Sequence, residues 1–346
     1  MKKVLVTDDV HTLLIEGLEK LGFVCDYQPD ITNVHAHDVI GDYVGLIINS
    51  KIFVDKAMID AAPHLRFVGR VGSGMEIVDI PYATQKGVAV LSSPEGNRNA
   101  VAEHALGMLL ALANNLMQSN AEVKKFQWFR EKNRGFELMG KTIGIIGYGH
   151  TGSAFARKLL GLGMRILFYD KYLQMENGAW RMENESAKGS RQESVVDMKN
   201  GTWLDENWYL STNERVDIQT LQKESDVISF HLPLTAEVTH MADANFFKAC
   251  HKNIVLINTS RGKVVHTLDL IAALESGKVQ GACLDVFENE KTATYTEGER
   301  LMYEKLFSFE NVIISPHIAG WTHQSKARLA AVLLEKIEKA LGINSI

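Results

Sequence analysis

Five side chains in the last third of a 346-residue chain are of the types that move protons and grip anions. Arg261 stands in NTSRG (258–262), behind the apolar run IVLIN, and His317 stands in SPHIAG (315–320), behind NVIIS. Asp285, Glu288 and Glu290 lie in GACLDVFENE, again just beyond an apolar run. Short apolar runs bounded by turn residues read as buried strands. In open α/β sheets, ligands bind beyond the carboxyl ends of strands, so all three segments carry their polar residues to one rim. Arginine offers a planar fork that matches a carboxylate and can polarise a neighbouring carbonyl. Histidine titrates near physiological pH and can hand a proton to a carbonyl oxygen; a carboxylate beside it orients the ring and favours its protonated form. The set suits hydride chemistry on a 2-keto acid, in which the carbonyl carbon receives hydride and the oxygen a proton. Singly, each residue has a plainer reading: the arginine as a surface ion pair, the histidine as a hydrogen-bonded filler, Glu288 and Glu290 as solvated loop charges. What favours chemistry is their joint placement at strand ends.

A hydride carrier is implied by GYGHTG (147–152). A glycine fingerprint carries weight when a strand precedes it, a helix follows it and an acid comes about 20 residues on. TIGIIG is the strand, SAFARKLLGLG the helix, and Asp170 closes the next strand, MRILFYD. Gly147 permits the tight turn, Gly149 lets backbone approach a pyrophosphate, and Gly152 lets helix and strand pack closely. The helix N-terminus offers unpaired N–H groups to the phosphates. Asp170 would accept hydrogen bonds from ribose hydroxyls and repel a 2′-phosphate, which favours NAD over NADP.

The elements that must position these groups form two series. KVLVT, FVCDY, VGLIINS, LRFVGRV and VAVLSS alternate with helical or polar stretches over residues 1–93, which reads as a complete five-strand parallel layer. AVAEHALGMLLALANNLMQSNAEVKKF (100–126) reads as one long helix, apolar on more than one face and free of proline. Such a helix is buried between domains or subunits, and it points to a homodimer. TIGIIG, MRILFYD, DVISFHL, NIVLINTS, GACLDVF and NVIISPH form a second, six-strand series, and KARLAAVLLEKIEKALG closes the chain as an amphipathic helix. Residues 172–214, with MEN occurring twice, break the alternation and read as an insertion. It is expected to be a tolerated surface insertion, with a lid over the adenosine end of the cofactor as the alternative. The HAH at 35–37 reads as a solvent-exposed polar loop, and no metal site is expected.

Composition narrows the partners. Hydrophobic residues make up 46% and charged residues 23%, an ordinary globular balance, and the length fits about two domains. A formal charge of -5 gives no electrostatic footprint for nucleic acid. No stretch approaches the ~20 apolar residues of a membrane helix. Cys25, Cys250 and Cys283 lie far apart without CxxC pairing, so a reduced, cytoplasmic setting is expected.

In the order of its motifs the chain resembles the D-isomer-specific 2-hydroxyacid dehydrogenases. The resemblance runs through FVGRVGSGMEIVD, SPEGNRNAVAEHALGMLLAL, GKTIGIIGYGHTG, SDVISFHLPLT, NTSRGKVV, GACLDVFENE and NVIISPHIAG, nearly the whole chain apart from the insertion. It implies two parallel-sheet α/β domains, Rossmann-like and flavodoxin-like. Residues 1–96 and 322–346 would form a discontinuous substrate domain, and 97–321 an NAD-binding domain inserted into it. Arg261 would bind the substrate carboxylate and carbonyl, His317 would be the acid/base, and Glu290 the carboxylate paired with it. Lys291 follows that glutamate where the family usually has proline, which leaves Glu288 as the fallback. His150, Thr151, His231, Pro233, Thr259, Asp285 and Gly320 would line the cofactor beside the glycine loop. Ser50, Lys51 and the backbone of Val71 and Gly72 would face Arg261 across a cleft. GRVGSGMEIVD, Lys51 and Arg70 resemble the D-3-phosphoglycerate dehydrogenase branch, although Asn49 stands where many of those enzymes carry arginine. Hydroxypyruvate or glyoxylate therefore stays open as substrate. So does an NAD-sensing, corepressor-like binding protein of the same fold.

Overall fold

A computed structural model of the chain describes residues 2–176, 179–182 and 213–343. The described residues fall into two compact units, one of 2–98, Met182 and 321–343, the other of 99–176, 179–181 and 213–320.

In the first unit, strands β1 (Lys3–Val6), β2 (Val24–Tyr27), β3 (Gly45–Ile48), β4 (Phe67–Arg70) and β5 (Ala89–Ser92) alternate with helices α1 (Thr12–Lys20), α2 (Asn33–Val39), α3 (Lys56–Asp60) and α4 (Ile80–Gln85). The strands form one parallel sheet in the order β2-β1-β3-β4-β5. Its central strands are apolar on both sides because helices cover both faces. Leu5, Leu46, Ile48 and Val68 pack with Ile40 and Met58, while Val4, Val6, Ile47 and Phe67 pack with Leu14 and Leu18. The latter core is completed by Leu329, Leu333 and Ile337 of the C-terminal helix, His323–Leu341. Lys336 of that helix donates to Ser92 O and to the Glu95 carboxylate at 2.8 Å. The two ends of the chain thus share one core.

The HAH segment differs from its expectation: His35 and His37 lie in a helix, α2, rather than a loop. Thr32 caps it by accepting from His35 N, and Ala36 and Ile40 bury one face while His35 stays exposed.

The stretch 100–126 is likewise not one helix. Helices α5 (Pro94–Ala113) and α6 (Leu116–Val123) meet at a 61° bend. The break has a local cause: Asn115 takes the left-handed conformation, φ 48°, which asparagine tolerates better than most residues. Asn114 Nδ2 donates to Leu110 O at 3.0 Å, and Phe136 N donates to Ala113 O at 2.9 Å. Helix α5 buries Ala102, Ala105, Leu109 and Leu112, whereas Leu116, Met117 and Val123 of α6 are exposed. Among the described residues no single helix is long and apolar enough to cross a membrane; this bent pair reaches that hydropathy only when counted together.

The second unit continues with β6 (Thr142–Ile146), α7 (His150–Leu159), β7 (Arg165–Tyr169), β8 (Leu173–Glu176), β9 (Ala179–Met182), β10 (Asn213–Arg215), α8 (Ile218–Glu224), β11 (Val227–Phe230), α9 (Ala244–Ala249), β12 (Ile254–Asn258), α10 (Thr267–Glu275), β13 (Val279–Leu284), α11 (Glu297–Phe307) and β14 (Val312–Ile314). The C-terminal helix is α12. A parallel seven-stranded sheet runs β10-β7-β6-β11-β12-β13-β14, while β8 and β9 pair with each other. Six of the seven strands are those read from sequence. The seventh, β10, begins in the last residues of the stretch 172–214 read as insertion and is not marked in sequence, because Asn-Glu-Arg carries neither alternation nor an apolar run. It forms by pairing with the edge of β7, and Glu214 is held by Arg165 at 2.6 Å. The choice between lid and passive insertion rests largely on 183–212, outside the described residues. Strand order reverses between β6 and β11, the switch point at which doubly wound sheets bind ligands.

Candidate active site

The glycine loop is built by close approach. Gly147 has φ +88°, and a Cβ there would stand 2.4 Å from His231 O. A Cβ on Gly152 would stand 2.0 Å from Gly147 O, so only glycine lets α7 start this close to β6. Gly149 caps α7, and a Cβ on it would meet nothing within 4 Å. His150 and Thr151 open the helix, whose first turn carries no acid and whose N-cap makes no side-chain hydrogen bond.

Asp170, expected from the sequence to bind ribose, has a structural task as well. Its buried carboxylate accepts Tyr148 N at 2.8 Å and Tyr172 N at 2.9 Å, which ties the glycine loop to the end of β7. Each carboxylate oxygen keeps a further lone pair for a hydroxyl donor. The neighbouring Lys171 is paired with Glu237 at 2.8 Å. The Tyr148 ring stacks on Phe168 at 3.9 Å, and its hydroxyl accepts from Asn213 Nδ2 of β10 at 2.8 Å.

Further along the rim, His231 follows β11 and Thr259 follows β12. Burial pushes the His231 imidazole down to about 3, so the ring is neutral, and its Nε2 meets Ser229 Oγ at 2.9 Å. Its Nδ1 and the Thr259 hydroxyl are buried without a hydrogen-bond partner among the described residues. Buried polar atoms are nearly always satisfied, so two orphans on this rim point to a polar ligand. Pro233 is exposed, two residues beyond His231.

The residues expected from the sequence to react are positioned by buried polar residues. Asn258 Oδ1 accepts Ser260 N and Ser260 Oγ, and its Nδ2 donates to Arg261 O at 2.9 Å, which folds the turn that presents Arg261. A Cβ on Gly262 would fall 1.9 Å from Phe287 O, so the loop after β13 lies directly against this turn. His317 has φ +56°, the strained left-handed region. Asp285, only 1% exposed, holds it there. Asp285 O accepts His317 N at 2.7 Å, and its carboxylate accepts Ile318 N at 2.9 Å, Ala319 N at 2.8 Å and Ser315 Oγ at 2.6 Å. His104 of α5 meets Ser315 Oγ at 2.8 Å from 211 positions away in sequence. Gly320 ends this loop.

His317 Nδ1 meets Glu290 Oε2 at 2.8 Å. That contact leaves Nε2 as the nitrogen able to deliver a proton. Burial alone would raise the Glu290 carboxyl, but the hydrogen bond and charge of His317, the Phe287 N–H and the Arg261 charge together bring it below its ordinary value. Glu288 points elsewhere: it accepts Thr267 N at 2.8 Å and meets His240 Nε2 at 2.7 Å. Among the described residues no cluster of three or more His, Cys, Asp or Glu could hold a metal ion.

The remaining sequence-derived residues lie in the first unit, Ser50 and Lys51 beyond β3, Val71 and Gly72 beyond β4. Lys51 Nζ donates to Pro29 O. Arg70 Nε donates to Asn49 O at 2.7 Å, and Gly72 N to Arg70 O at 3.0 Å.

Residues 106–198 and 202–319 match the family model described as D-isomer specific 2-hydroxyacid dehydrogenase, NAD binding domain. The chain belongs to this family. It is 33% identical over 298 residues to hydroxypyruvate reductase of Thermotoga maritima, covering 86% of this chain and 85% of that protein. It is 31% identical to D-3-phosphoglycerate dehydrogenase of Synechocystis sp. over 99% of this chain, but spans only 54% of that relative's length. The crystal structure of D-lactate dehydrogenase from Aquifex aeolicus, complexed with NAD and lactic acid, superposes with a TM-score of 0.76 at 26% identity. The superposition covers 99% of this chain and 96% of that one. For this dehydrogenase-family chain the residues fit NAD: a loop with room at Gly149, a helix N-terminus without acid, and two buried polar atoms awaiting partners. Sequence reasoning assigned no role to His104, Tyr148, Asn213 or Asn258. Asn258 was within reach, since it opens NTSRG; the others act across sequence distances that no periodicity reports.

Proposed function

We propose that this chain is an NAD-dependent oxidoreductase that interconverts a D-2-hydroxy acid and its 2-keto acid, with D-3-phosphoglycerate and 3-phosphohydroxypyruvate as the favoured pair. The observation that carries the reading is the His317–Glu290 contact on the rim that also holds Arg261 and the glycine loop. NAD, when bound, supplies or accepts the hydride. Arg261 grips the substrate carboxylate with its fork and draws electron density from the adjacent carbonyl. In reduction His317 Nε2 gives its proton to the carbonyl oxygen, and in oxidation it takes that proton back. Glu290 holds the ring in register and balances its charge. Ser50, Lys51 and the Val71–Gly72 backbone are proposed as further substrate contacts.

A second substrate reading, an unphosphorylated keto acid such as hydroxypyruvate or glyoxylate, is favoured by two contacts. The Lys51 ammonium is engaged by Pro29 O, and Arg70 lies between Asn49 O and the Glu76 carboxylate, 3.8 Å away. Steady-state oxidation of NADH with 3-phosphohydroxypyruvate, hydroxypyruvate, glyoxylate and pyruvate tests both. The highest kcat/KM is expected for 3-phosphohydroxypyruvate; turnover confined to the other acids selects the second reading. NADH binding without turnover of any of them overturns the enzyme in favour of a cofactor-sensing protein.

The chain is further proposed to act as a homodimer in the cytoplasm. Helix α6 and the segment after it expose Met117, Phe126, Trp128 and Met139, with Phe126 fully exposed. Concentrations of apolar surface on this scale mark interaction sites. The cysteines Cys25, Cys250 and Cys283 are all free thiols, in keeping with a reducing compartment.

A further inference from the structure

The tripeptide Glu288-Asn289-Glu290 is fastened in three directions. Glu288 reaches the first turn of α10 through Thr267 N, and Glu290 reaches His317. Asn289, between them, is bonded on every side. Its N–H donates to the Tyr303 hydroxyl at 3.0 Å, and its carbonyl accepts from the Tyr295 hydroxyl at 3.1 Å. Its Oδ1 accepts Lys291 N at 3.0 Å, and its Nδ2 donates to Glu299 Oε1 at 3.0 Å and Thr294 Oγ1 at 3.2 Å.

Only the Lys291 contact is the local turn that asparagine makes in many loops. The others tie the loop to α11 and the turn that precedes it. Glu299 closes the capping box of that helix with Thr296, so the carboxylate that receives Asn289 is itself fixed. Tyr295 and Tyr303 stack with ring centroids 4.9 Å apart, and Tyr303 is buried against Phe287 and Phe307. Glu290 lies one residue beyond this hub; its side chain is half-exposed and, besides meeting His317, accepts Phe287 N at a long 3.4 Å.

We propose that Asn289, with the Tyr295 and Tyr303 hydroxyls, is a positioning residue that holds Glu290 against His317 Nδ1. The inference rests on the proposed function, because it deepens the role given there to Glu290. Burial raises the Glu290 carboxyl, but His317, the Phe287 N–H and the Arg261 charge outweigh it and hold it below its ordinary value, so the ionised, paired form exists above that lowered value and is lost as pH falls through it. Loosening the loop lets the carboxyl return upward, and the acid limb of the rate moves to higher pH.

The test compares Asn289→Ala, Tyr303→Phe and Glu290→Gln with the unmodified chain. Tyr303→Phe keeps the buried ring and removes only the hydroxyl, so it reports even where Asn289→Ala fails to fold. In both loop variants kcat is expected to fall about ten- to a hundredfold, as for misplacement of a reacting group by about an ångström. KM for the keto acid and Kd for NADH are expected to stay within about twofold, with the acid limb moved up. A carbon-13 titration of the Glu290 carboxyl in the cofactor-free protein, assigned with Glu290→Gln, is expected to move up alongside. A role in stability alone would lower Tm and leave the acid limb and the titration in place, which overturns the proposal. Wild-type kcat and acid limb in both loop variants, with Glu290→Gln impaired, overturn the positioning role alone. A wild-type profile in Glu290→Gln overturns the function assigned to Glu290, and the positioning role with it.

Discussion

Replacing Gly149 by alanine separates cofactor binding from folding. A Cβ at this position meets no protein atom within 4 Å, and φ is -76°, which alanine accepts readily. Exchanging glycine for alanine at a helix N-cap costs about 0.5–1 kcal/mol, so Tm should fall by a few degrees at most. The methyl would instead occupy the space into which the pyrophosphate must settle to reach the α7 N–H groups. Forcing one extra methyl into a packed contact costs about 1–3 kcal/mol. At ~1.4 kcal/mol per tenfold, Kd for NADH should rise by about five- to a hundredfold. Gly152→Ala is the contrasting case: its Cβ would stand 2.0 Å from Gly147 O, inside the protein itself. That variant should lose stability as well as affinity, since α7 must move off β6. Fluorescence titration of NADH and thermal unfolding, run on both variants, measure the two effects separately. Gly149→Ala binding NADH within twofold of wild type would refute the assignment of this loop to the pyrophosphate.

Two further outcomes follow from the same geometry. His317→Asn should keep NADH affinity and lose about 10²–10⁴-fold in the rate of reduction, because the proton donor is gone while the cofactor loop is untouched; near-normal turnover in stopped-flow traces rules out the proton-donor role. Phe126→Ser combined with Trp128→Ser should convert a dimer into a particle near the 38.6 kDa of one chain in light scattering, with the unmodified chain at twice that mass. An unmodified chain that is already monomeric removes the dimer.

The strands were legible because each core strand of a doubly covered parallel sheet is a near-continuous apolar run, and IVLIN, TIGII and VISF carry only Asn258, Thr142 and Ser229 as polar exceptions. The glycine loop was legible because Gly147, Gly149 and Gly152 recur at a fixed spacing between a strand and a helix, even though the close approach that demands Gly147 is to the distant His231 O. What failed also has local causes that composition hides. The stretch 100–126 looked like one helix since nothing in its apolar pattern announces that Asn115 turns left-handed, and β10 was missed since an edge strand needs only a partner's exposed backbone. Asp170 shows both sides. Its distance from the glycines marked it as a ribose acceptor, whereas its bonds to Tyr148 N and Tyr172 N arise only when β6 and β7 lie side by side.

By itself, then, the sequence determined which residue types stand at the ends of which strands, and with them the chemistry that Arg261, Glu290 and His317 can perform. Only the tertiary structure decided between Glu288 and Glu290 as the partner of His317. The resemblance favours Glu290 and leaves Glu288 as the fallback; in the fold Glu288 is drawn to Thr267 N at the head of α10 and Glu290 to the imidazole. The same holds for His104, Ser315 and Asp285, whose hydrogen bonds place His317 in a conformation it would not adopt alone. Hydrogen bonds act over about 3 Å of space whatever the length of chain between their partners, and folding alone sets which groups come that close.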